Sequence, residues 1–134
     1  TEIYTLSLHD ALPICEHREA LEYYRKVLAL KIKLGNKQEL AITHCAISEA
    51  LAELQLPQEA LIEIELAIGL TGENPKKLCE YIYYKATYHF AGKDYEQARL
   101  YCQTALELAK NSARPQVANL CEELLSDITN RLNP

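Results

Sequence analysis

Glycine and proline are scarce, with four and five among 134 residues. That excludes a collagen-like or low-complexity chain. Basic charge is not in excess either: 14 Lys and Arg stand against 19 Asp and Glu. Such a chain has little with which to neutralise a phosphate backbone, so nucleic acid is not an expected partner. No long apolar run occurs. The most apolar stretch, residues 60–70, is cut by Glu63 and Glu65 and falls well short of the roughly 20 residues that span a bilayer. No membrane partner is expected. Residues 1–15 lack the basic start and apolar core of a secretory leader. The phosphate-cradling GxxxxGK[ST], the GxGxxG turn and the HExxH zinc helix are all missing. Cys15, Cys45, Cys79, Cys102 and Cys121 include no CxxC and no Cys-x-x-His pair. Close pairs are what usually fix half of a zinc tetrahedron. The five thiols are therefore expected to be reduced, small and apolar, in a cytoplasmic chain with neither metal nor cofactor.

What is present is a globular composition. The chain is 49% apolar with a net charge of only -5. At this length one domain can bury roughly two-thirds of its unfolded surface, and disorder is not expected. Three segments align without gaps: EALEYYRKVLAL at 19–30, EALIEIELAIGL at 59–70 and QARLYCQTALEL at 97–108. Their alanines Ala20, Ala60 and Ala98 recur at intervals of 40 and 38. Self-similarity with a period between 20 and 50 residues marks a stacked repeat. Each copy places small or apolar residues at helical spacing, such as Ala60, Ile64 and Ala67. Leu40, Ile47, Leu51 and Leu54 form another such stripe. Tyr81, Tyr84 and Tyr88 form a third, and Val117, Cys121, Leu124 and Ile128 a fourth.

Punctuation divides these stripes. Gly35-Asn36, Thr71-Gly72 and Gly92 are expected to end helices, and Pro57, Asn74-Pro75, Asp94 and Pro115 to begin them. The pattern predicts helices over 16–34, 38–55, 58–70, 75–91, 94–110 and 115–131. Loops this short imply antiparallel neighbours. Thr1 to Ile14, TEIYTLSLHDALPI, fits none of this periodicity. It resembles the conceptual translation of sequencing-adapter read-through. Residues 1–15 are expected to be non-native, and the natural chain to begin near Cys15 or Glu16 with an upstream part lost.

The chain from 16 to 134 resembles the tetratricopeptide repeat family, in its long-repeat bacterial form. The copies run over 16–34 (partial), 38–70, 75–110 and 115–131 (partial). In the copy at 75–110, Tyr81, Tyr84, Lys85 and Tyr88 stand at the family's first-helix positions, with Lys85 in place of the usual glycine. Gly92-Lys93-Asp94-Tyr95 is similar to its inter-helix turn, and Ala98 and Ala105 match its two small positions. In the preceding copy, His44, Ile47, Ser48 and Leu51 stand in the first helix. The resemblance implies an all-α fold, a right-handed superhelix of antiparallel helix pairs. It also implies a protein- or peptide-binding scaffold within a larger cytoplasmic regulator. The alternative is a sensory or dimerising module of a signalling enzyme, such as a diguanylate cyclase or histidine kinase, whose catalytic domain lies elsewhere.

By the same resemblance, the peptide groove is lined by Cys45, Glu49, Ala52 and Glu53 of one copy. Ile82, Tyr83, Ala86, His89 and Phe90 line it from the next, and Asp127 from the last. Carboxylates on one side and aromatic rings on the other suit a basic or amphipathic segment. Open repeat ends, with Leu120, Leu124 and Ile128, are expected to support a homodimer. No catalytic residues are expected. His44 and Cys45 are adjacent and diverge by about 100° on a helix, so they make no dyad. The pairs Glu59/Glu63 and Glu49/Glu53 read as solvated helix faces, and His17 and His89 as isolated rings.

Overall fold

The computed structural model describes residues 14–133. Among them are six α-helices and no strand: α1 Ile14–Leu34, α2 Lys37–Glu53, α3 Pro57–Thr71, α4 Pro75–Ala91, α5 Tyr95–Asn111 and α6 Pro115–Leu132. Every boundary lies within two residues of its predicted place. The segment expected to be non-native falls, but for Ile14 and Cys15, outside the described residues.

The helix ends have local causes. Gly35 and Gly72 take positive φ, 72° and 69°, and so end α1 and α3 at no steric cost. Asn36 is not part of that ending. It is extended, and its side chain accepts from the Glu39 N–H at 3.1 Å, which makes it the N-cap of α2. Asn74 does the same for α4 at Lys76, 3.2 Å, with Pro75 at the first helical position. Asp94 caps α5 through the Gln97 N–H.

Three turns share one hydrogen-bond pattern. The Leu56 N–H bonds to the Leu51 carbonyl while the Gln55 N–H bonds to the Ala52 carbonyl. Asp94 and Lys93 repeat this on His89 and Phe90, and Arg114 and Ala113 on Ala109 and Lys110. This is the Schellman closure, and it needs a left-handed residue. Gln55, Lys93 and Ala113 supply it, at φ 65°, 65° and 57°. Gly92 closes α4 as expected, as its C-cap, and the left-handed position falls one residue later, on Lys93.

The chain divides into two compact units, one carrying α1–α3 and the other α4–α6. In the first, α2 pairs with α3, and α1 packs on α2. Its buried side chains include Ile47, Leu51, Ala60, Ile64 and Ala67. His44 Nδ1 and Glu63 Oε1, 2.8 Å apart, join α2 to α3. Lys31 Nζ donates to Glu39 Oε2 at 2.8 Å between α1 and α2. In the second unit α4 pairs with α5, and α6 packs on α5 and touches α4. Tyr81, Tyr84, Tyr88, Ala98, Cys102, Ala105, Val117, Cys121 and Ile128 are buried there. The tyrosines of α4 are thus core residues, with Tyr84 and Tyr88 stacked at 6.4 Å.

The two hairpins repeat with one offset. Both α2 and α4 have 17 residues. The left-handed residues Gln55 and Lys93 lie 38 apart, as do Ala60 and Ala98, Ile64 and Cys102, and Ala67 and Ala105. The last three pairs are fully buried. At this offset Ser48 matches Ala86, and both are small and wholly buried. The pairing of Ile47, Ser48 and Leu51 with Tyr84, Lys85 and Tyr88 is therefore one residue out of step. Lys85 no longer stands at the small position.

The expected apolar end also needs correction. Leu124 and Ile128 are buried, because α6 turns that face onto its own unit, and Leu120 is half-buried. Exposed apolar side chains include Tyr23, Leu30 and Leu34, which share one stripe on α1, and Ile42, Ile62, Leu66 and Leu100 on other helices. No described helix is long and apolar enough to cross a membrane.

Candidate functional site

The expected groove residues of α2 lie on the face that α1 covers. Cys45 and Glu49 are each only 3% exposed, and Cys45 Sγ donates to Glu49 Oε1 at 3.6 Å. Glu53 Oε2 lies 4.0 Å from His17 Nε2 of α1, itself buried. Burial pushes the Tyr24 phenol of α1 above its ordinary value, and the Glu49 charge adds to this. Ala52 is half-buried. Cys45 and Glu49 therefore line no open wall, and His17 is not isolated. The packing of α1 along α2 is the reason.

On α4 the expected residues divide. Ala86 is fully buried at the small position, and Ile82 is half-buried. The His89 ring stacks on Tyr101 of α5 at 5.4 Å, and its Nδ1 lies 3.8 Å from Asp94. Lys85 Nζ sits 3.9 Å above the same Tyr101 ring. Phe90 meets Tyr95 edge-on at 5.4 Å, and Arg131 of α6 lies over Phe90 while its Nη1 donates to the Tyr95 hydroxyl at 3.3 Å. At the 38-residue offset Cys45 corresponds to Tyr83, and Ala52 to Phe90. Ile82, Ala86 and His89 correspond to His44, Ser48 and Leu51, which were not among the expected groove residues. The one-residue slip, about 100° around a helix, brought them in.

The packing of α6 beside α4 brings Asp127 near Tyr83 and Arg131 over Phe90. Burial pushes the Tyr83 phenol well above its ordinary value, with Cys121, Cys102, Glu123 and Asp127 adding to it. Asp127 and Glu123 are exposed on α6. Tyr83 is itself buried, so like Cys45 it lines no open wall, and what α6 presents beside it is an exposed pair of carboxylates. Glu123 was not anticipated, although its spacing of four from Asp127 puts both on one helix face.

A second feature was also missed. Glu80 is fully buried on α4, and its Oε2 accepts from Arg114 Nη2 at 2.9 Å. Arg114 Nη1 donates to the Lys76 carbonyl at 3.2 Å. Arg114 ends the α5–α6 turn, so this pair pins the start of α6 to α4. A glutamate inside an apolar stripe is the one sequence signal for it, and its partner 34 residues away is visible only in the fold. A pocket of about 230 Å³ at the same turn is lined by Ala109, Lys110, Arg114 and Ala118 among others. Among the described residues no group of three or more His, Cys, Asp or Glu is placed to hold a metal ion. No family model, curated protein or solved structure matches the chain.

Proposed function

We propose that this chain is a tetratricopeptide-like repeat module that binds a basic or amphipathic segment of another protein. The observation that carries this reading is one hairpin built twice at a fixed offset of 38 residues, with the same turn and the same buried small positions. A helix pair of this length cannot bury its whole apolar face alone, so repetition serves stacking. In this reading the pairs wind into a right-handed superhelix in the cytoplasm, and the exposed inner surface binds rather than catalyses. The exposed carboxylates Glu123 and Asp127 on one face of α6 support a cationic partner. Lys85 over Tyr101 and Arg131 over Phe90 are internal examples of the cation–aromatic contact such a partner would make.

Fluorescence anisotropy with labelled basic amphipathic and acidic peptides tests this. Basic peptides should bind, more weakly as salt rises, and lose affinity in a Glu123→Lys/Asp127→Lys chain. A preference for acidic peptides, or binding indifferent to both charge reversals, would refute the reading.

A further inference from the structure

The two hairpins show what covers each helix face, and among the described residues α1 and α6 each lack one such cover. At an offset of 40, Ala20, Tyr24 and Val27 of α1 stand where α3 has Ala60, Ile64 and Ala67. Those three residues of α3 are fully buried, as are Ala98, Cys102 and Ala105 of α5, whereas the three of α1 are only half-buried. Tyr23 matches Glu63 and Tyr101, and Leu30 matches Leu70 and Leu108. The four matched residues are half-buried, but Tyr23 and Leu30 are each 63% exposed. The five α1 positions that lose cover lie on one face of the helix. Inside the hairpins that face meets a first helix: Glu63 lies 2.8 Å from His44 of α2, and Tyr101 stacks on His89 of α4 beneath Lys85.

The first helix α6 shows the complementary loss. It has 18 residues against 17 in α2 and α4. At 40 residues from α4, Glu122 stands for Ile82, Leu125 for Lys85 and Thr129 for His89. Glu122 and Thr129 are exposed, and Leu125 is half-buried. Ser126 stands at the small position that Ser48 holds in α2 and Ala86 in α4. Both of those are fully buried, but Ser126 is exposed.

We propose that α6 of one copy packs on α1 of another, as the first and second helices of a hairpin made from two chains. The open face of α1 calls for a first helix with a small residue at the contact, and α6 is the one described helix that offers this face uncovered. The thirteen residues before α1 are fewer than the 17 of a first helix, even before a loop is taken from them. In the hairpin register Tyr23 takes the place of Tyr101, against Leu125 and Thr129. Its hydroxyl then donates to Glu122, a polar pair at the place where His44 meets Glu63. The contact joins unlike ends, so every chain carries both halves and association passes beyond two chains unless a ring closes. It differs from the like-with-like end expected at Leu124 and Ile128. It rests on the repeat equivalence alone and uses neither Glu123 nor Asp127, so it holds or fails separately from peptide binding.

Sedimentation and light scattering of the full chain test this with two blocked variants. Ser126→Glu closes the face of α6, and Tyr23→Glu sets a second carboxylate against Glu122. Both residues are exposed, so the single chain keeps its fold in either variant. The unsubstituted chain should grow heavier as it is concentrated from the micromolar to the millimolar range. Each variant alone should stay a monomer. An equal mixture of the two should form one-to-one dimers and nothing larger, because each supplies the half that the other lacks. An unsubstituted chain that stays monomeric throughout would overturn the proposal. So would a variant that associates alone, or a mixture that does not.

Discussion

Gln55, Lys93 and Ala113 hold the left-handed backbone that their turns demand, a conformation that costs a residue with a Cβ about 1–2 kcal/mol. Glycine would remove that cost while giving some back through unfolded-chain entropy. Ala113→Gly should therefore stabilise the protein by about 0.5–1 kcal/mol in urea unfolding, whereas an interior helix glycine would destabilise it. The Glu80–Arg114 pair acts in the other direction. Arg114→Ala leaves the buried Glu80 carboxylate without this cation. The expected cost is about 2–3 kcal/mol, at the low side for buried pairs because the guanidinium reaches solvent. Equilibrium denaturation measures both. Tyr83 gives a pH signature. Its folded value lies above the ordinary 10.0, so the folded chain favours the neutral phenol. That stabilisation is complete below the ordinary value and is lost progressively as pH rises above it towards the higher folded value. The urea midpoint should begin to fall above about pH 10 and keep falling as pH rises further, and fall less in Tyr83→Phe. An equal fall in both would place the alkaline loss elsewhere.

Helix boundaries were legible in the sequence because Gly35, Gly72, Asn74, Pro57 and Pro115 each act within their own turn. Side-chain register was not equally legible. The left-handed residue of the α4–α5 turn is Lys93, a residue type that gives no such signal. One residue of slip then moved Ile82, Ala86 and His89 onto the expected groove. Glu49 reads as a solvated carboxylate until α1 is laid across it, and the hydrogen bond from Cys102 Sγ to the Cys121 carbonyl depends wholly on how α5 and α6 cross. Two element-scale predictions follow from the packing. Ala98 is fully buried, so Ala98→Leu should overpack the hairpin and cost about 1–3 kcal/mol in thermal unfolding. In α1, His17 alone of the described side chains is buried. Its amides should exchange with deuterium orders of magnitude faster than those of α4 and α5, since opening it exposes little apolar surface.

For the molecule as a whole, what recurs matters more than any single contact. The same hairpin, the same turn and the same small buried positions return after 38 residues, and α6 begins as though to repeat the first helix again. Cys121, Leu124 and Ile128 stand 40 residues after Tyr81, Tyr84 and Tyr88, and all six are buried. That regularity is why binding is the proposed role: a repeated element yields a repeated surface, and a repeated surface suits an extended partner. The most direct test is a crystal structure of the full chain. The account predicts that the screw rotation carrying 37–71 onto 75–109 also carries α4 onto α6, generating an open superhelix. A closed bundle, or two hairpins related by a two-fold axis, would contradict it.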